Sequence, residues 1–333
     1  MSNFIKKIKR AVIQFLFISA YLLFILLIPF RACASVDAGL DALNHHEFAK
    51  AEKIFADQAD KGDAHAMYWL GNTYQLEGGM KRLDAGRILL KAAKMGDPWA
   101  MSRLDPDNGL SLCTVWPCNS KWKSKAVEGW EKLSKQGNGK ATFALMFHKE
   151  DTYWYRVTKW LPGMGQEKLN EMALKSLKQG YQGASIYLFN HSKSEKLKYL
   201  LLSANKGFIP TYSLLATFYK KQNNLCAMKK YRKMAIESGD KKFIKDLFYS
   251  YFEGWGYKKD YNKAYYYGKI ISFYGDELSN VFRKDGLENY RLETKVVNVK
   301  KQIYIKKAKE FVHSHPPYHY YDEYSFPFDV MDF

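Results

Sequence analysis

A serine three residues before a lysine can form an acylating hydroxyl with its own base, and this spacing occurs at Ser120/Lys123 and Ser203/Lys206. The companion S-D-N and K-T-G motifs are absent, and both pairs fall in or beside predicted repeat helices, so lysine abundance accounts for them. His313, His315 and His319 carry imidazoles suited to a metal, as do His45 and His46 beside Glu47. The first set shares its stretch with Pro316, Pro317 and several tyrosines, which reads as a surface tail; the second lies at a predicted helix start. Neither supplies a fourth structural ligand at a suitable spacing. Gly137-x-Gly139 and Gly254-x-Gly256 look like pieces of phosphate loops, but no strand precedes them and no third glycine follows. The expectation is a chain with no catalytic residues, no metal and no cofactor.

The cysteines point to stapling rather than to redox or zinc chemistry. Cys113 and Cys118 bracket a short loop with no C-x-x-C spacing and no second pair, so a disulfide between them is expected to stiffen that loop locally. Cys226 lies inside a helical pattern, where a buried free thiol is expected.

The start of the chain bears on compartment. Lys6, Lys7, Lys9 and Arg10 precede a nearly continuous apolar run from Ala11 to Phe30, and Ala32-Cys33-Ala34 has the form of a cleavage site. Residues 1–34 therefore read as a signal peptide. The alternatives are an uncleaved anchor, since about 20 apolar residues can span a bilayer, and a lipoprotein site at Cys33. All three place the rest of the chain outside the cytoplasm, in the periplasm of a bacterium. Of the formal charge of +18, five basic residues lie before position 35 and no acid does, which leaves +13 for the remainder. The basic residues are dispersed rather than gathered in a stripe, so an acidic protein partner or the anionic envelope surface is expected and nucleic acid is not. With 333 residues, 47% hydrophobic and 16% aromatic, the chain is ordered.

A repeat organises residues 35–287. Glycines at Gly62, Gly96, Gly137, Gly180, Gly207, Gly239 and Gly275 recur at intervals of 34, 41, 43, 27, 32 and 36. Four positions after them stand Ala66, Ala100, Ala141, Ala184, Thr211, Phe243 and Ser279; eight positions after stand Leu70, Leu104, Leu145, Leu188, Leu215 and Leu247, with Arg283 breaking the series. Three positions before, Ala59, Ala93, Ser134, Ala204 and Ser272 are small, with Leu177 and Ile236 as exceptions. A glycine at such a point ends one helix in the left-handed conformation. Offsets of four and eight put the small residue and the leucine on one face of the next helix. The small residues let helices approach and the leucine fills the shared core. Each unit is then helix, turn, helix, and must stack on its neighbours to bury its apolar face.

The pattern predicts first helices near 46–61, 84–95, 124–136, 166–179, 194–206, 226–238 and 261–274. Second helices fall near 64–78, 98–105, 140–151, 183–192, 211–222, 242–254 and 277–285. A capping helix over 36–44 opens the array, a basic helix over 288–313 closes it, and 314–333 forms an aromatic and acidic tail. The predicted fold is all-α, a right-handed α-solenoid.

The stretch from Tyr251 through Gly254, Gly256 and Asp260 to Ala264 and Tyr266 closely resembles the Sel-one-like repeat, a short relative of the tetratricopeptide repeat with a turn of the form Y-x-x-G-x-G-V-x-x-D-x-x-K-A. A second copy comprises Leu70, Gly71, Tyr74, Gly78, Gly79, Asp84, Ala92 and Ala93, with Gly86 where that family usually has alanine. The resemblance covers most of 46–285, and the middle units keep the glycine, alanine and leucine phase without the glycine-rich turn. It implies a non-enzymatic protein-binding role. Exported members include envelope scaffolds, host-interaction factors and immunity proteins against toxic effectors of type six secretion, phospholipases among them. An immunity protein is the sharper expectation and an envelope scaffold, adaptor or host-interaction factor the alternative.

Two insertions interrupt the array where recognition is expected. Asp105 to Lys123 carries Trp116 and Trp122; Glu150 to Gly165 carries Trp154, Tyr155, Arg156 and Trp160. These residue types anchor interfaces, although they also serve to pack over imperfect repeats. The tail from Tyr318 to Phe333 can fold back on the basic solenoid or dock into a partner.

Overall fold

The computed structural model describes residues 36–108, 113–275 and 292–324. The predicted leader with Cys33, the second helix of the last repeat with Ser279 and Arg283, and the end of the tail lie outside the described residues. Among the described residues, no helix is long and apolar enough to cross a membrane.

The helices are α1 (36–44), α2 (Phe48–Ala59), α3 (Ala64–Glu77), α4 (Lys81–Lys94), α5 (Pro98–Arg103), α6 (Lys121–Lys135), α7 (Gly139–Asp151) and α8 (Tyr153–Thr158). They continue with α9 (Gln166–Lys178), α10 (Ala184–His191), α11 (Lys196–Asn205), α12 (Pro210–Lys221), α13 (Leu225–Glu237), α14 (Lys241–Glu253), α15 (Tyr261–Phe273), α16 (Leu292–Lys295) and α17 (Asn298–Ser314). The predicted pairs are α2/α3, α4/α5, α6/α7, α9/α10, α11/α12 and α13/α14, with α15 opening the seventh. The fold is an all-α array of stacked helix-turn-helix repeats.

The joint inside each pair is built by two consecutive residues. Gly62, Gly96, Gly137, Gly180, Gly207, Gly239 and Gly275 all have positive φ, from +69° to +103°. In the first six, the glycine N–H donates to the carbonyl three residues back and the following N–H to the carbonyl five residues back, as Gly96 to Ala93 (3.1 Å) and Asp97 to Ala92 (3.1 Å) show. This closes the first helix with a Schellman motif. In four pairs the residue after the glycine also starts the next helix. The side chains of Asp63, Asp97, Asn138 and Asp240 accept from N–H groups of the following first turn. One helix stops and the next starts within two residues, which fixes the angle between them.

The offset positions behave as the phase requires. Ala66, Ala100, Ala141, Ala184, Thr211 and Phe243 are all buried, as are Leu104, Leu188, Leu215 and Leu247. Leu70 and Leu145 are only partly buried. Ser272 is exposed, against the expectation of a small residue at a close approach.

The described helices fall into two compact units, 36–43 with 47–126 and 44–46 with 127–324. The core of the first is built on Leu43, Phe55, Tyr68, Trp69, Leu89 and Leu104, all nearly inaccessible. The second has two apolar clusters, one on Phe143, Met146, Leu169 and Leu188, the other running from Leu200 and Leu215 to Ile244, Phe248 and Ile270.

Two further expectations need correction, those for the closing helix and for Cys226. The closing helix expected over 288–313 is interrupted between Lys295 and Asn298, and only α17 is long. The second insertion contains a helix of its own, α8, capped by the Thr152 hydroxyl accepting from Tyr155 N–H at 3.2 Å. Cys226 is exposed rather than buried, because it lies in the first turn of α13 on the face turned away from the core.

Gly180 has φ of +100° and open space where a Cβ would stand, so a substitution there reports on backbone conformation alone. Gly180→Ala is expected to destabilise the chain by about 1–2 kcal/mol in urea unfolding, with unchanged helix content by circular dichroism. An unchanged midpoint would contradict the left-handed stop.

Candidate functional site

The first insertion turns inward. Cys113 and Cys118 are joined by a disulfide, and Trp116 between them is buried at 4% exposure. Its indole N–H donates to the Arg82 carbonyl at 3.2 Å. The Arg103 guanidinium lies 5.4 Å from its ring centre. A Cβ on Gly86 would run into the same indole. The departure of the second Sel-one-like copy from alanine at that position thus has a physical reason: glycine makes room for Trp116. Arg103 is itself buried, which lowers its pKa to about 10, and it donates to Gln75 Oε1 at 2.6 Å. The expectation that Trp116 anchors an interface is therefore corrected, since it is a core residue of the first unit. Trp122 is half-buried, with the Lys125 ammonium 5.2 Å from its ring centre. Gly86→Ala forces the indole off its seat and is expected to cost about 1–3 kcal/mol. Near-ultraviolet circular dichroism is expected to show a weakened tryptophan signal, and an unaltered spectrum and stability would contradict this packing.

The second insertion turns outward. Tyr153 and Trp154 are each 74% exposed, Trp160 is 79% and Leu161 is 55%. Val157 and Met164 are exposed as well, so the arm over 152–165 displays several aromatic and apolar side chains. Its own bonds hold it: Thr158 Oγ1 donates to the Trp154 carbonyl at 2.6 Å, and the Trp160 indole to the Arg156 carbonyl at 3.3 Å. Tyr155 is the pin, packing against the cluster around Phe143 and Tyr187. Burial pushes its phenol above the usual range, and the Glu150 charge adds to this. Arg156 is exposed. Of the residues expected to recognise a partner, Trp154, Arg156 and Trp160 are thus displayed together, while Tyr155 positions them. Six large apolar side chains exposed in one short segment are unusual for a surface that meets only water.

The tail folds back on the second unit over Tyr318 to Tyr324, the first of the two courses open to it. It is extended, and alternate residues meet successive repeat joints. Tyr318 N–H donates to the Gly239 carbonyl at 2.9 Å. The Tyr320 ring lies edge-on to Phe208 at 5.0 Å. Asp322 accepts from the Tyr181 hydroxyl at 2.7 Å, and the Tyr324 hydroxyl donates to the Lys140 carbonyl at 2.8 Å. The intervening residues bond elsewhere: His319 N–H donates to the Asn44 carbonyl, Tyr321 N–H to Asn44 Oδ1 (both 2.8 Å), and Glu323 pairs with Lys140 at 2.8 Å. Burial, with Asp322 alongside, raises the Tyr181 phenol well above its usual value. Sequence reasoning missed this row, because its partners are far apart along the chain.

The residues first weighed for chemistry have structural places. Ser203 is buried and bonded to Gln182 Oε1 at 2.9 Å, while Lys206 is exposed. Lys123 pairs with Asp107 at 3.2 Å, and Ser120 is exposed. His319 stands beside His46, ring centres 6.2 Å apart, rather than with His313 and His315. Among the described residues, no group of three His, Cys, Asp or Glu side chains is arranged to hold a metal. Gly139 belongs to α7, where a Cβ would strike the Ser176 carbonyl, so it serves helix approach. Gly254 and Gly256 have φ of +85° and +68° and shape the turn between α14 and α15.

Asp240 couples a joint to the tail. It caps α14 and is almost inaccessible, and burial raises its carboxyl from the usual 3.8 to about 6. With the folded pKa above the unfolded one, its contribution to stability is complete below about 4 and declines as pH rises to about 6, by up to about 1.4 kcal/mol per unit. Asp240→Asn keeps an accepting oxygen and is expected to remove that decline. Thermal unfolding of both chains between pH 4 and 7 checks it; parallel curves would contradict the buried carboxyl.

No family model matches the chain, and no curated protein matches it. Among solved structures it is similar to a protective antigen present in uropathogenic Escherichia coli strains that displays an SLR fold, at 18% identity and TM-score 0.45, over 80% of this chain and 56% of that one. This chain thus spans little over half the length of the antigen. It is also similar to a Sel1 repeat protein from Oxalobacter formigenes, at 17% identity and TM-score 0.40, over 70% of this chain and 94% of that one. Helix pairs closed by left-handed glycines, with the Tyr251–Asp260 turn, make the chain an all-α array of helix-turn-helix repeats that resembles the Sel1-like repeat fold.

Proposed function

We propose that this chain is an exported, non-enzymatic repeat protein that holds a protein partner, with the aromatic arm over 152–165 as part of the contact. The exposure of Trp154 and Trp160 on a segment pinned to the second unit by Tyr155 carries this reading. Aromatic side chains with few rotatable bonds, displayed on a rigid base, contribute large contact area at small entropic cost. The periplasm is the compartment this reading assigns, through the basic and apolar segment before residue 35. The sharper form of the proposal is an immunity protein that captures a secreted toxic effector, with the positive charge of the mature chain raising the rate of association with an acidic target.

The test is capture by the tagged chain from secreted and envelope fractions, with identification by mass spectrometry and a toxicity assay on what is bound. One stoichiometric toxic partner, neutralised by this chain, is the expected result. Recovery of resident envelope proteins without protection would replace immunity with scaffolding. Trp154→Ala with Trp160→Ala is expected to leave unfolding unchanged and to weaken capture at least tenfold; undiminished capture would remove the arm from the interface.

A further inference from the structure

A second surface of the 127–324 unit combines features that point to a ligand. Lys220, at the end of α12, is partly buried, and its ammonium lies 4.2 Å from the Tyr257 ring centre. Arg232, on α13, approaches the same ring at 5.1 Å and also the Tyr251 ring at 5.7 Å. Its guanidinium donates to the Tyr251 hydroxyl at 2.7 Å. The glycine-rich turn makes room for the arrangement, because a Cβ on Gly256 would collide with the Lys220 ammonium. Two cations are thus held around one tyrosine ring.

Among the described residues, neither cation has a carboxylate partner; the nearby Lys263 takes Asp260 at 3.4 Å, and Asp260 is already the cap of α15. Burial lowers the Lys220 pKa, and the Arg232 charge lowers it further. Burial of Arg232 is offset by hydrogen bonds to the Tyr251 and Tyr267 hydroxyls, so its pKa is raised. Lys220, with a ring face alone beside a like charge, keeps part of the cost of leaving water. An anion would relieve it.

The surroundings select the kind of anion. Arg232 also lines an open cleft of about 370 Å³ between α13 and α17, with Lys229 and Lys233 on one side and Ile236 and Phe311 providing apolar walls. Glu237, also on that wall, lies 3.6 Å from Lys233. A lone inorganic ion would leave these apolar walls unused, whereas an acidic peptide with apolar residues beside its carboxylates would use both. We propose that Lys220, Arg232 and Tyr257 bind a carboxylate of an acidic segment in the protein partner, with the cleft beside Arg232 receiving the neighbouring apolar side chain. This deepens the protein-binding reading and rests on it.

The probe is a labelled short peptide of aspartate, glutamate and leucine, titrated into the full chain by fluorescence anisotropy at low and physiological salt. Lys220→Gln with Arg232→Gln is expected to weaken binding about 10- to 100-fold, as loss of charge-assisted hydrogen bonds implies. Lys132→Gln with Lys135→Gln removes the same charge from the exposed face of α6 and is expected to change affinity less than threefold. Lys220→Met alone keeps the apolar stem and the Arg232–Tyr251 bond, so it reports on the charge should the double variant unfold. Equal weakening by both double variants would show diffuse charge and overturn the site. Displacement of the peptide by inorganic phosphate at equal concentration would show an unselective anion pocket and overturn it as well. Absence of peptide binding while the tagged chain still captures its partner would overturn this site and leave the protein-binding reading intact.

Discussion

The structure depends on one two-residue joint. A glycine in the left-handed region ends a helix, and the next residue completes that ending and, in four of the joints, begins the following helix. Where this residue is Asp63, Asp97, Asn138 or Asp240, its side chain takes up N–H groups that would otherwise lack partners. Helix pairs locked in this way bring the positions four residues on, Ala66 to Phe243, against the preceding helix, and the buried leucines fill what remains. Irregularity elsewhere is tolerated because the joints do not depend on it. The insertions before α6 and after α7, and the loss of the glycine-rich turn in the middle repeats, leave the helix pairing intact.

The two insertions show how the same residue types reach opposite ends. Trp116 has Gly86 beneath it, Arg103 beside it and a disulfide around it, and becomes core. Trp154 and Trp160 stay exposed, the Trp160 indole taking the Arg156 carbonyl of its own arm and the Trp154 carbonyl the Thr158 hydroxyl. The tail follows a third route. Being extended, it presents alternate side chains to a row of joints and closes the second unit over its own turn residues.

Much of this was legible in the sequence. The glycines, the buried small residues and four of the six leucines are a local pattern, and local patterns translate into helices and turns directly. The capping side chains of Asp63, Asp97, Asn138 and Asp240 stand immediately after the glycines, a position that the glycine phase alone does not mark as a helix start. Trp116 was not legible, since its burial depends on an absent side chain at position 86 across the fold. The meeting of Asp322 with Tyr181 and of Lys220 with Tyr257 likewise arises from stacking. Cys226 misled because a helical pattern does not say which face of a first turn is covered.

The central claim is a rigid joint array that includes the tail and displays the 152–165 arm. Hydrogen–deuterium exchange of the full chain, read by mass spectrometry at peptide resolution, tests it most directly. The account predicts slow exchange in peptides covering Tyr318 to Tyr324 and the joints at Gly137, Gly180, Gly207 and Gly239, with fast exchange across 152–165. Rapid exchange of the tail with protection of the arm would contradict it, because the tail would then be the displayed segment and the arm part of the packed body.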